Sequence, residues 1–236
     1  MSARLHMLDA AAWRLGVAPL GRLWMRRSLT VLAYHRVLPA AKAGAYPLAN
    51  LVVTREAFEG QVGWLTRYAE VVIVREGLER LGRGERPKRP MVALTFDDGY
   101  SDSAEHVAPV LEAAGVRGTF FVATGFVDGT PMWFDAAAHW WNDRHNADGA
   151  VGGAGASTMC DPEIAAHAAT MDSWLGWLKS LAPSERDDAL ARVGAGTAPM
   201  DCEAMSPEQV GALAERGHEI GSHTVTHPNL TPLGPD

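Results

Sequence analysis

Two short stretches of the chain carry residue types that can do chemistry. Val92-Ala93-Leu94-Thr95-Phe96 is an apolar run that ends in Asp97-Asp98-Gly99. Adjacent carboxylates repel, so unless water solvates both they need a cation or a shared proton. The glycine that follows lets the turn present both to one place. Much later, His218 to Ser222 reads as a second short strand, ending in His223-Thr224-Val225-Thr226-His227. Histidines four apart on a helical or turn-like segment can both reach one ion. Each stretch also has a plainer reading: Asp-Gly is a common turn pair, and a lone His-x3-His can simply face solvent. Brought together at two strand ends, a carboxylate and two imidazoles form a three-ligand set with a position left for water, as in catalytic rather than structural zinc sites.

The surrounding pattern is of a kind that could bring them together. From Ser28 onward, strand-like and helix-like segments alternate: the apolar run Leu29 to Val37, then Thr54 as an N-cap before Phe58, Val62 and Leu65 at helical spacing. Val71 to Val74 reads as a strand, Arg80 to Pro90 as a basic connector, and Met91 to Phe96 as a buried strand. A helix with Val107, Val110, Leu111 and Ala114 on one face stops at Gly115, and Gly118 to Val122 is a further strand. Such alternation predicts an α/β fold with a parallel sheet, either an open doubly wound sheet or a barrel. In both, functional groups gather at the carboxyl ends of strands.

Between about 128 and 205 the pattern changes to short helices and Gly-Ala-rich segments such as Gly149 to Ala156, read as a helical insertion. Asp161-Pro162 starts one helix there. Ser206-Pro207-Glu208-Gln209 is a capping box, opening a helix with Val210, Leu213 and Ala214 on its inner face. The tryptophans of the insertion could stack on sugar rings, but Trp174, Trp177, Leu178 and Leu181 also fit a packed helix face.

At 236 residues and 47% apolar content the chain can bury a substantial core. A formal charge of -7 argues against a general nucleic-acid binder. Cys160 and Cys202 are too few for a disulfide framework and lack thiolate-zinc spacing, so they are expected to be reduced and buried. Residues 1–27 form a separate N-terminal segment: arginines interrupt every apolar run before it could span a membrane, and a signal-peptide core is missing. Leu5, Leu8, Ala12 and Leu15 share a helical face, which fits packing on the domain or a peripheral contact with an anionic membrane. A cytoplasmic or membrane-peripheral protein is therefore expected.

Thr95-Phe96-Asp97-Asp98-Gly99 and His223-Thr224-Val225-Thr226-His227 resemble, in order and strand context, the first two motifs of the polysaccharide deacetylase (NodB-like) family. The resemblance runs from about Leu29, through Ala33-Tyr34-His35-Arg36-Val37 and Gly118-Thr119-Phe120-Phe121, to Leu230. It implies a distorted (β/α) barrel over 28–236. It also implies Asp97 as general base, Asp98, His223 and His227 as ligands of a divalent ion, foremost zinc, and Thr224 as a brace of the histidine loop. The implied substrate is an N-acetylated glycan. The family's later motifs, which supply an acid histidine and an arginine and aspartate that tune the base, have no counterpart after His227. The chain thus reads as a C-terminally incomplete barrel, with two alternatives: a catalytically impaired remnant that binds metal or carbohydrate without turnover, or a small-molecule C–N hydrolase. His35 is the leading substitute for the acid, alongside its plainer reading as a hydrogen-bonded rim residue. The pairs Asp135/His139 and Asp102/His106 read as helix-surface residues.

Overall fold

The computed structural model describes residues 25–146, 161–195 and 203–230. The amphipathic face Leu5 to Leu15, the Gly149 to Ala156 stretch, Cys160, Cys202 and the final residues from Thr231 lie outside them.

The sheet is built around β5, Met91–Phe96, whose six residues are all buried. A strand covered on both faces should read as a continuous apolar run, and this one does apart from Thr95. β1, Leu29–Tyr34, pairs with it in parallel along its whole length, from Leu29 opposite Met91 to Tyr34 opposite Phe96. On the other side, β4, Glu70–Val72, pairs with its beginning and β6, Thr119–Val122, with its end. β7, Glu219–Ser222, lies beyond β6. The expected parallel α/β fold is therefore present; among the described residues the sheet is open, with β1 and β7 at its edges.

The segment read as one strand from Leu29 to Val37 divides at His35. Arg36–Leu38 is a separate strand, β2, which pairs in parallel with β3, Val52–Thr54, outside the main sheet. The chain therefore bends at His35, a break that the unbroken apolar pattern conceals. After α1, Ala40–Ala43, the helix α2, Arg55–Tyr68, starts where expected. Thr54 accepts from the Ala57 amide, and Phe58, Val62 and Leu65 are buried. α3, Val74–Gly82, occupies part of what read as connector. Its apolar signal is weak, with Leu78 57% exposed, and Arg80 ties it instead to Glu70, Glu76 and Glu85.

After β5 a single π-turn over Ser103–Val107 leads into α4, Ala108–Ala113. Val107, Val110 and Leu111 are buried as expected, but Ala114 is exposed beyond the helix end. Between β6 and β7 lie α5, Thr124–Val127, α6, Trp133–Asn146, α7, Pro162–His167, α8, Met171–Ser180, α9, Pro183–Arg192, and α10, Pro207–Glu215. Asp161 caps α7, and Ser206 with Gln209 caps α10 reciprocally. Only Leu213 of the expected α10 face is buried; Val210 is half-buried and Ala214 exposed.

Two apolar clusters result. One fills the sheet beneath α2, α4 and α10. The other joins α6 to α9 with Tyr46 and Tyr100. Trp174 is at its centre, fully buried, donating its indole N–H to the Ala137 carbonyl at 3.1 Å and lying 5.1 Å from the Trp140 ring. Its role is packing, as the helical spacing allowed. Truncating a buried tryptophan removes that area and leaves a cavity. We expect Trp174→Ala to lower stability by about 3–5 kcal/mol in chemical denaturation; a loss below about 1 kcal/mol would show that the helical cluster is loosely packed.

Candidate metal centre

Asp98 follows β5 directly and adopts a left-handed backbone, φ 75°. Aspartate tolerates that region better than most side chains, and Gly99 next to it, φ 98°, supplies the rest of the turn. A side chain at Gly99 would meet Val122 Cγ1 at 2.9 Å, so the turn also presses against the end of β6. Backbone bonds fasten it on three sides. The Asp97 amide donates to Tyr34 O, Ala123 to Asp98 O, and Met205 to Gly99 O.

The histidine loop is held against the same rim. His223 N donates to Val122 O, extending the β6–β7 ladder by one residue. Thr224 N is not the donor in the next bond; Thr124 and Gly125 donate to the carbonyls of Thr224 and Val225. A Cβ at Gly125 would lie 2.7 Å from the Val225 oxygen, so that close approach requires glycine. Thr224, φ 66°, and His227, φ 49°, share the left-handed backbone of Asp98. These are the three non-glycine residues with positive φ among those described, and all lie at this site. Strain held in this way clusters at functional positions. The Thr224 hydroxyl accepts from the His227 amide at 3.0 Å, the bracing contact expected of it. Trp133 donates its indole N–H to the His227 carbonyl, and the Phe134 ring lies 5.3 Å from the His227 imidazole.

The loop is irregular rather than helical, yet it brings both imidazoles to Asp98. Nε2 of His223 lies 3.5 Å from Asp98 Oδ1, and Nε2 of His227 lies 3.4 Å from the same oxygen. Ligand atoms of the three residues all fall within 4.8 Å of one another. A tetrahedral ion with bonds of about 2.0–2.1 Å spaces its ligands by roughly 3.3–3.5 Å, so each imidazole already stands at coordination spacing from Asp98. Both oxygens of Asp98 are buried with no hydrogen-bond partner, a costly arrangement for a carboxylate unless a cation completes it. Burial, then the charges of Asp97 and Asp135, push its carboxyl up to about 7 against the pull of Arg36. Burial, with His223 adding to it, draws His227 down to about 4. Asp97 is half-buried, and that burial raises its carboxyl above the ordinary range, partly offset by His223 and His35.

His35, at the bend after β1, is also at this rim, in electrostatic contact with Asp97 and His223; burial lowers its pKa while Asp97 pulls it back up. The two pairs expected on helix surfaces are instead inside. Asp135 is fully buried and accepts hydrogen bonds from the hydroxyls of Tyr46 and Tyr100. Its partner in the pair, His139, is half-buried against the Tyr46 ring. Asp102 is 3% exposed and pairs with Arg36 Nε at 2.9 Å, while His106 on the same π-turn is half-buried. Arg36 lies 4.6 Å from the Tyr46 ring centre and 4.4 Å from that of Tyr100, and its charge acts on Asp98, Asp102 and Asp135. Sequence reasoning missed Arg36. The available signal was an arginine inside an apolar strand run, where a charge is rarely buried without partners.

The chain matches the family model described as polysaccharide deacetylase over residues 84–236. The Bacillus subtilis (strain 168) protein YxkH is 28% identical over 95 residues, which cover 40% of this chain and 31% of that protein. The chain thus spans under a third of that curated relative. Among solved structures, the Streptococcus pyogenes deacetylase PplD, in complex with acetate, is 18% identical with a TM-score of 0.51, over 88% of this chain and 61% of its own. IcaB from Ammonifex degensii is 19% identical with a TM-score of 0.38, over 86% of this chain and 88% of its own. The streptococcal likeness is one of fold, in agreement with the parallel sheet and its helices. With its motif-bearing strand ends at one rim and a family match across well over half its length, the chain belongs to the polysaccharide deacetylase family.

Proposed function

We propose that the protein is a metal-dependent hydrolase that removes N-acetyl groups from a glycan, and that residues 28–236 form one catalytic domain carrying a helical insertion at about 128–205. The observation that carries this reading is the buried, unpartnered Asp98 carboxylate with two imidazole nitrogens at 3.4 and 3.5 Å. Asp98, His223 and His227 would hold the ion. One carboxylate and two imidazoles favour zinc among the common divalent ions, because the nitrogen ligands disfavour magnesium and calcium. When bound, it would polarise the amide carbonyl and lower the pKa of an attacking water.

The chain's own groups account for the proton traffic. Asp97, adjacent to the ligand but not part of the cluster, takes the proton as water oxygen bonds to the acetyl carbon. The C–N bond then breaks, acetate leaves, and the amine nitrogen must gain a proton. His35 is the residue we assign to that step, because it stands at the same rim in electrostatic contact with Asp97 and His223. The glycan as substrate class is supported by membership of the family. Among the described residues, no helix is long and apolar enough to cross a membrane.

Three outcomes are expected. Without a cation, the Asp98 carboxyl keeps its proton up to about pH 7. Uptake of an ion below that pH must displace the proton, so affinity falls at least about tenfold per pH unit as pH drops. His227, neutral down to about 4, adds nothing to that slope until then. Calorimetry in buffers of different ionisation enthalpy should record at least about one proton released per ion at pH 6, and an uptake independent of pH would count against Asp98 as a ligand. Asp97→Asn should leave ion uptake intact and lower acetate release from N-acetylglucosamine oligomers by about 10²–10⁴-fold; unaltered release would remove Asp97 from the mechanism. His35→Gln should abolish the fall in rate on the alkaline side of the pH profile, which an acid in its protonated form imposes, and a retained alkaline limb would assign the proton to another group.

A further inference from the structure

Beside the histidine loop lies a cavity that the hydrolytic scheme does not use. Its walls include Gly125 and Phe126 after β6, Trp133 of α6, Arg186 of α9, and Val225 and Thr226, the two residues just before His227. It measures about 290 Å³, near the lower bound of small-ligand sites and suited to a single sugar unit. Trp133 both lines it and holds the His227 carbonyl. An occupant of this cavity would therefore touch the loop that carries two of the candidate ligands.

Arg186 is the unusual wall. Its side chain is 4% exposed, and its guanidinium lies 4.8 Å from the Trp133 ring centre. A buried arginine is expensive unless its donors are used. Here Nε and Nη2 both donate to one oxygen of Asp187, at 3.1 Å each, and Nη1 has no hydrogen-bond partner among the described residues. Asp187 is the next residue on the same helix and is 63% exposed, so water weakens the pair. Anchoring α9 does not call for this arrangement. Ala189 and Leu190 already bury the helix, and an apolar side chain at 186 would pack without the desolvation cost. A planar guanidinium fixed against an aromatic ring, at the wall of a sugar-sized cavity, is suited to bidentate recognition of an oxyanion.

We propose that this cavity is an oxyanion subsite, in which Arg186 recognises a carboxylate or phosphate on the sugar unit adjoining the one that is deacetylated. The proposal rests on the glycan deacetylase reading and narrows it to acidic N-acetylated glycans. Its chemistry is shared by two sources, a carboxylated sugar and a phosphorylated one, which the probes separate.

Three probes of equal length serve: a neutral N-acetylglucosamine oligomer, one containing N-acetylmuramic acid, and one phosphorylated at O6. Equilibrium binding to the metal-loaded Asp97→Asn protein reads the subsite without turnover, and acetate release by the unaltered protein reads turnover. An anionic probe should bind at least about tenfold more tightly than the neutral one, the value of one charge-assisted hydrogen bond. The preferred anion names the source. Arg186→Gln should bring the ratio close to one. Arg186→Lys should retain part of it, and Asp187→Ala, which removes the competing carboxylate, should raise it. Equal binding of all three probes, or a ratio that Arg186→Gln leaves unaltered, overturns the subsite. If Arg186→Gln does not fold, a ratio unmoved by both Arg186→Lys and Asp187→Ala overturns it equally. Anion preference in binding with no acetate release from any probe would sustain the subsite and defeat the hydrolase reading instead.

Discussion

A carboxylate that is fully buried, held in a left-handed turn and left without a hydrogen bond is the constraint around which this fold is arranged. Asp98 has no counter-donor for either oxygen. What faces it is a pair of imidazoles from a strand two positions away in the sheet. The sheet order explains why they meet. β5 and β7 both pair with the segment between them, β6, and all three run the same way, so their carboxyl ends fall at one rim. The loops after those ends are then fastened to each other by backbone bonds from Ala123, Thr124 and Gly125. The site is thereby fixed by main-chain geometry before any side chain chooses a rotamer.

Beneath it the charge balance is tight. Asp97, Asp102 and Asp135 all lie within electrostatic reach of Asp98, and Arg36 is the buried cation that acts on Asp98, Asp102 and Asp135. Arg36 neutralises Asp102 by a direct bond, and the hydroxyls of Tyr46 and Tyr100 take both oxygens of Asp135. Burial raises the carboxyls of Asp102 and Asp135 even so, the former to about 6. The partners are thus assigned to the outer carboxylates and withheld from Asp98. A fold that needed only to bury this aspartate would have given it a donor; leaving it bare next to two imidazoles is the arrangement a cation resolves.

Much of this was legible in the sequence because the informative signals are local. The apolar run of β5, the Thr54 and Ser206 caps and the glycines at strand ends each act within a few residues, and each appears where its pattern places it. The Asp97-Asp98 and His223-to-His227 stretches were visible for the same reason. What the sequence concealed is long-range. The bend at His35 separates two strands that belong to different sheets, and nothing in Leu29 to Val37 marks the change of partner. Asp102 and Asp135 read as surface charges, and Arg36 drew no reading of its own, because their partners lie 35 to 89 residues away. The helix Val74–Gly82 was hidden by its dependence on the ion pairs of Arg80 rather than on an apolar face.

The central claim is that Asp98, His223 and His227 bind one divalent ion between them. X-ray absorption at the zinc edge of the zinc-loaded protein tests it most directly. One ion per chain is expected, with two imidazole nitrogens and at least one carboxylate oxygen at about 2.0–2.2 Å, and with one imidazole fewer in His223→Ala. A spectrum without paired imidazole scattering, or with sulfur ligands at about 2.3 Å, would contradict it.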